Sequence, residues 1–285
     1  REAANHHADS VAGVISKALA DAKLSLNDID VVAFSKGPGL GPCLRVAATA
    51  ARALSARLDI PIIGVNHCVA HVEIGNATTG CKDPVLLYAS GGNTQIIAFA
   101  NGKYRIFGET LDIGIGNMFD KLGRELGLGY YAGPTIEKLA RDGNELLDIP
   151  YSVKGMDMAF SGILTAAVTL RKKGHRLEDI AFSVQETSFA MLAEVTERAM
   201  AHVGKSEVLM GGGVAQNSKL RDTISRMAEE RGAKMFVPLP RLCIDNGAMI
   251  AWLGHLMYDS GVRMTMNDTK VEQRFRTDEV DVTWR

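Results

Sequence analysis

The chain has 285 residues, 46% of them hydrophobic and 23% charged, with 8 prolines, which is the make-up of a folded globular protein and excludes a disordered or fibrous one. Thirty-two Lys and Arg against thirty-three Asp and Glu leave a formal charge of -1, so the whole-chain field does not draw in a polyanion, and any RNA contact must be local or shared with partners. No run of about 18 consecutive apolar residues occurs, which excludes a simple transmembrane helix, and no apolar signal-peptide core opens the chain.

At this length a single core tends to divide, so two lobes are expected. Residues 8–24 place Val11, Val14, Ile15, Ala18 and Leu19 on one face, predicting an amphipathic helix that opens near Asp9 or Ser10. VVAFSKGPGLGP predicts a buried strand ending in a Gly-Pro loop, residues 45–58 a second helix, and PIIGV a short strand. From Asp83, PVLLYASGGNTQIIAFANGKYRIFGE predicts apolar strands separated by SGGN and then by NG, a hairpin turn. Helical patterns follow over 117–126, 134–141, 163–172 and 177–202. EVLMGGG is then a strand, NSKLRDTISRMAEERG a helix, AKMFVP a strand and DNGAMIAWLGHLMYDSG a last helix with its Gly stop. The tail KVEQRFRTDEVDVTWR is expected to be a polar extension with scattered apolar anchors. A β-meander followed by alternating helices and strands predicts a two-lobed α/β fold with the ligand cleft between lobes. The expected lobes are residues 1–83 completed by 248–285, and residues 84–247 with the nucleotide-binding turns. Cys43, Cys68, Cys81 and Cys243 show no CxxC spacing, which points to a reducing compartment and a cytoplasmic protein.

The sharpest local signal is HCVAH. On a helix, the i, i+4 spacing sets His67 and His71 on one face about a turn apart, close enough to hold one metal ion. The plainer account is a pair of surface or capping histidines. Cys68 follows His67, so the glutamate of a zincin HExxH motif is absent. Further ligand candidates are Tyr88 at a strand end and Asp245 at a helix start; imidazole, phenolate and carboxylate together suit iron or zinc better than magnesium. Taken alone, Tyr88 reads more readily as a core aromatic and Asp245 as a plain helix cap than as ligands. SGGNTQ and MGGGVAQN place glycine where backbone N–H groups can meet an anion, the second between a strand and the positive end of a helix. Neither is a P-loop or a GxGxxG site. Asp120, Gly133 and Glu137 lie near predicted helix starts, where two carboxylates could grip ribose hydroxyls. RKKGHR could touch RNA phosphates, but a solvated helix end is the favoured account.

Taken in order, NHCVAH, LYASGGNTQ, GNMFDKLGR, GPTIEKLA, GGGVAQN and CIDNGAMIAW resemble the tRNA N6-adenosine threonylcarbamoyltransferase family, in the archaeal and eukaryotic form that acts as the catalytic subunit of the KEOPS complex. The resemblance implies the two-lobed fold of the sugar kinase, actin and heat-shock chaperone ATPases. It implies one divalent metal, iron or zinc, held by His67, His71 and Asp245 with Tyr88 as a further ligand. It also implies that Tyr88, Ala89, Ser90, Gly91, Gly92, Asp120, Gly133, Glu137 and Asn217 line an adenine nucleotide or threonylcarbamoyl-adenylate. The implied partners are tRNA, a small dimerising subunit and an atypical small kinase that can be fused at the C-terminus, with no membrane. The family's opening strand and GIEGTAHT-like turn are not found here, so the first lobe is expected to lack its first strands. The implied reaction moves the threonylcarbamoyl group from its adenylate to N6 of the adenosine beside the anticodon, and no residue stands out as a general base. Two other readings compete: an ATP-binding actin-like interaction or regulatory module without acyl transfer, and a metallopeptidase, against which the missing HExxH glutamate argues.

Overall fold

The computed structural model describes residues 2–285. In chain order the elements are α1 (Glu2–Ala22), β1 (Val32–Gly37), α2 (Gly41–Leu58), β2 (Ile62–Asn66), α3 (His67–Thr79), β3 (Val85–Ala89), β4 (Thr94–Ala100) and β5 (Lys103–Glu109). They continue with α4 (Ile115–Glu125), α5 (Gly133–Ala140), β6 (Val153–Lys154), β7 (Asp157–Met158), α6 (Ser161–Lys172) and α7 (Leu177–Val203). The last are β8 (Glu207–Gly211), α8 (Ser218–Glu230), β9 (Lys234–Phe236), α9 (Pro240–Cys243) and α10 (Gly247–Asp259). Among the described residues no helix is long and apolar enough to cross a membrane.

The chain forms two compact units. The first comprises Arg1–Ile74, Gly102–Tyr104 and Asn246–Arg285. Its β1 and β2 run parallel, Val32 opposite Ile62, as a β-α-β crossover requires. Phe34, Ala48, Ala51 and Ile62 form its core, with Val32 and Val271 packed against them. Pro42 sits in the first turn of α2, where its missing N–H costs nothing, so the helix begins at Gly41 and not at Arg45 as expected. The first helix opens at Glu2, well before Asp9, because nothing in EAANHHAD breaks it; none of its residues is buried. The tail is not a loose extension. Glu272 donates its N–H to the Lys36 carbonyl at 2.9 Å, and a Cβ on Gly37 would lie 1.9 Å from the Glu272 carbonyl oxygen.

The second unit comprises Gly75–Asn101 and Arg105–Asp245. Its sheet has the order β5-β4-β3-β8-β9, with β3 antiparallel to β4 and parallel to β8, and β8 parallel to β9. Thus a meander comes first and crossovers after, as the sequence pattern predicts. The hairpin between β4 and β5 turns at Asn101 and Gly102, both at positive φ, the conformation that an Asn-Gly pair favours. The central strand β3 is buried along its whole length. The long helix α7 buries Val184, Phe189, Leu192 and Val195 in the same core. The hairpin of β6 and β7 was not expected: two residues per strand are too few to show alternation.

Candidate functional site

Asn66 ends β2 and starts α3. Its Oδ1 accepts from the N–H groups of Cys68 and Val69 at 3.0 and 3.1 Å, which caps the helix. Its Nδ2 donates to the Phe275 carbonyl at 3.1 Å. That cap fixes where the helix begins and so which face carries His67 and His71, whose ring centroids lie 5.0 Å apart, edge to face. His71 is 2% exposed. Asp245 is not the cap of α10: Asn246 does that work, its Oδ1 accepting from the Met249 N–H at 2.9 Å. Just upstream, the Cys243 carbonyl accepts from the Gly212 N–H at 2.8 Å, tying this loop to the end of β8. Burial pushes the Cys243 thiol up.

One ligand atom each from His67, His71 and Asp245 lies within 4.8 Å of the others. Two imidazoles and one carboxylate fit a divalent ion of the iron or zinc type and disfavour magnesium or calcium, which take oxygen shells. The structure therefore brings together the three residues singled out as metal ligands. Tyr88 is 2% exposed at the end of β3, opposite Gln95 on one side and Gly211 on the other.

A cavity of about 490 Å³ lies in the second unit, walled by the SGG turn, α4, α5 and the loop after β8. Of the predicted substrate-lining residues, Gly91, Asp120, Gly133, Glu137 and Asn217 line it, whereas Tyr88, Ala89, Ser90 and Gly92 do not. Ser90 closes its own turn, its Oγ donating to the Asn93 carbonyl at 3.0 Å. The carboxylates are partly committed. Asp120 Oδ1 accepts from the Ala132 N–H at 3.1 Å, and Glu137 Oε1 accepts from the Ser218 N–H at 3.0 Å. Asn217 caps α8, its Oδ1 accepting from the Leu220 N–H at 3.1 Å, while its Nδ2 donates to Gln185 at 3.1 Å.

Two of the three glycines of MGGGV do different work. Gly212 has φ 89°, and a Cβ there would lie 2.3 Å from the Ala89 carbonyl oxygen, so this position is needed for close approach of two strand ends. Gly213 meets nothing within 4 Å, lines the cavity, and leaves room that a side chain would fill. Sequence reading missed Gly114 and Gly116, whose Cβ atoms would lie 2.4 Å from the Gly91 carbonyl oxygen and 2.8 Å from its Cα. It also missed Phe119, Tyr131, Pro134, Val214 and Gln216 in the cavity wall. The GIG spacing was the available signal for the two glycines.

A family model described as tRNA N6-adenosine threonylcarbamoyltransferase (TsaD) matches residues 1–252. A protein of that name from Thermococcus sibiricus is 59% identical over 285 residues, covering all of this chain and 88% of the relative. A "probable bifunctional tRNA threonylcarbamoyladenosine biosynthesis protein" from Methanothermobacter thermautotrophicus is 56% identical over 284 residues, all of this chain but 53% of the relative. Among solved structures, HypF from T. kodakarensis aligns with TM-score 0.65 at 14% identity, covering 87% of this chain and 42% of that one. The (R)-2-hydroxyglutaryl-CoA dehydratase component A of Acidaminococcus fermentans aligns with TM-score 0.53 at 16% identity, covering 86% and 83%. These two likenesses bear on the fold alone and agree with the α/β architecture expected from the sequence.

Proposed function

Because the chain belongs to the tRNA N6-adenosine threonylcarbamoyltransferase family, whose reaction places a threonylcarbamoyl group on N6 of a tRNA adenosine, we propose how its own residues carry that reaction. The observation that carries the reading is the convergence of His67, His71 and Asp245 to within 4.8 Å.

The donor is threonylcarbamoyl-adenylate, and its adenylate half seats in the cavity of the second unit. Gly91, Gly116, Gly133 and Gly213 leave their parts of the wall without side chains, so backbone there can approach phosphate and ribose. The bonds described for Asp120 and Glu137 use Oδ1 and Oε1, which leaves the second oxygen of each to accept from a ribose hydroxyl. The N6 lone pair attacks the carbamoyl carbon, the bond from that carbon to the phosphate oxygen breaks, AMP leaves and N6 loses a proton. An exocyclic adenine amine is a weak nucleophile, so holding donor and acceptor in place supplies much of the rate. His67, His71 and Asp245, with Tyr88 as a further ligand, would hold a divalent ion, most simply iron with zinc as the substitute, which would supply Lewis-acid polarisation and charge neutralisation. The acceptor is the adenosine beside the anticodon. With a net charge of -1 the chain needs other subunits for much of its RNA-binding surface. The KEOPS small dimerising subunit and small kinase fill that role, in the cytoplasm.

The test supplies the full chain with its partner subunits, tRNA, threonine, bicarbonate, ATP and the enzyme that makes the adenylate, then reads modified nucleoside by mass spectrometry. Modified adenosine that disappears with His67→Ala supports the reading. Nucleotide binding without modified tRNA, with all partners present, would replace it by a regulatory module.

A further inference from the structure

Glu73 takes no part in the scheme above, yet it is a carboxylate 4% exposed on the helix that carries both metal-binding histidines. It stands two residues beyond His71, about 200° round the helix and so on the opposite side from the metal face. Among the groups that hold it, the Tyr104 hydroxyl donates to Oε1, Trp284 Nε1 donates to the same oxygen at 2.7 Å, and Arg285 Nε lies 3.4 Å away. The Arg285 guanidinium in turn sits 5.2 Å from the centre of the Tyr104 ring. The start of the helix is tied to the same stretch of chain. Asn66, the cap of α3, donates to the carbonyls of Phe275 and Arg276 at 3.1 and 3.4 Å. The segment 275–285 thus grips α3 at its start and about two turns further on, and Val280 and Thr277 between the two grips are buried.

A buried carboxylate is a poor choice if the aim is only to fill space, because a well-packed apolar side chain of similar volume stabilises as well or better. What directed hydrogen bonds add is a fixed setting. A helix held at two points on its back cannot roll, and roll is the motion that would swing His67 and His71 away from Asp245. We propose that residues 275–285 act as a splint for the metal-bearing helix, with Glu73 and Asn66 as positioning residues and the Trp284–Arg285 grip setting metal affinity. The proposal rests on the reading of His67, His71 and Asp245 as the metal site.

The test uses the full chain stripped of metal and measures zinc affinity by chelator competition, the melting temperature of the metal-free protein, and kcat and KM for transfer. Trp284→Phe keeps an aromatic ring, smaller than the indole, and removes the N–H. It is expected to weaken zinc about tenfold, the lower end of what is lost when an outer-shell partner is removed, with kcat falling and KM for the adenylate unchanged. Glu73→Gln keeps an acceptor and most of the shape, so it should retain much of the affinity, while Glu73→Leu should lose it even if the metal-free protein melts as high as wild type. A lower melting temperature with zinc affinity within twofold of wild type in both Trp284→Phe and Glu73→Leu would reduce the segment to packing and overturn the proposal; if one fails to fold, the other decides. His67→Ala serves as the control: zinc bound by wild type and lost in that variant establishes the site itself, and a wild type that binds none removes the site and the splint together.

Discussion

Gly212 and Gly213 are neighbours in sequence and should fail in opposite ways. Gly212 has φ 89° and ψ 167°, a region that is nearly closed to residues with a side chain and costs about 1–3 kcal/mol when forced. A methyl group there would also stand 2.3 Å from the Ala89 carbonyl oxygen, 2.6 Å from the Ala89 carbonyl carbon and 3.1 Å from the Ser90 nitrogen, all backbone atoms of the central strand end. Reaching ordinary contact at about 3.5 Å demands a shift of about 1 Å. Strain and overpacking together give Gly212→Ala a cost of about 3 kcal/mol, or a fall of roughly 6 to 10 °C in melting temperature. The same shift carries the SGG turn and the loop after β8 with it, and a misplacement of about 1 Å can cost about a hundredfold in kcat/KM. A methyl at Gly213 meets nothing within 4 Å but projects where the cavity lies. Gly213→Ala should therefore melt within about 1 °C of wild type, a surface-sized effect, while binding adenine nucleotide more weakly. Denaturant unfolding and calorimetric titration with AMP read both outcomes. A Gly212→Ala protein as stable and active as wild type would refute the reasoning, as would a Gly213→Ala protein that is destabilised yet binds AMP normally.

Asp120→Asn keeps an acceptor for the Ala132 N–H and loses the charge, so its melting temperature should hold while its AMP dissociation constant rises about tenfold, the worth of one hydrogen bond to a charged group; unchanged AMP affinity in titration would exclude the ribose contact. Removing metal with a strong chelator should lower transfer at least about a hundredfold, with recovery on adding iron(II) or zinc to wild type but not to His67→Ala or Asp245→Ala; nucleoside analysis before and after reconstitution checks this. Burial alone would push Asp112 up, but bonds from Ser161 Oγ and the N–H groups of Phe160, Ser161 and Ile113 outweigh it and lower its carboxyl from 3.8 to about 2. A lowered folded value means that its stabilisation is present above about pH 4 and fades as the pH falls toward 2. Asp112 is exposed, so screening leaves it worth about 1 kcal/mol. Urea unfolding should show Asp112→Asn less stable at neutral pH and the difference from wild type shrinking as the pH falls; a difference that grows would be the wrong sign.

Features set by local spacing were legible in the sequence, and those set by distant backbone were not. HCVAH declares its geometry because residues four apart share a helix face, and NG declares a hairpin because both residues accept positive φ. The order of the longer strands and helices after Asp83 follows from periodicity and turn residues, with the short β6–β7 hairpin the exception. By contrast, the cap of α10 was misplaced by one residue, since Asp245 and Asn246 are both good caps and only the fold assigns the work to Asn246. Asp245 joined the histidines in the reading through family resemblance and not through any spacing. The glycine of MGGGV that packs and the one that opens the cavity look alike in sequence; the difference lies in Ala89 on another strand. Ser90 and Asn217 were both expected to line substrate; the Ser90 side chain closes its own turn, whereas Asn217 caps a helix and still lines the cavity. Glu73 gave no signal at all, because its partners stand 31 and 211 residues away.

The central claim is that one ion sits on two imidazoles from α3 and on Asp245. Diffraction from crystals of the metal-loaded protein, collected on either side of the iron or zinc absorption edge, tests it directly. The account predicts a single anomalous peak at about 2.0–2.2 Å from a ring nitrogen of His67, a ring nitrogen of His71 and a carboxylate oxygen of Asp245. A peak bound elsewhere, or one that touches the histidines while Asp245 stays out of reach, would contradict it.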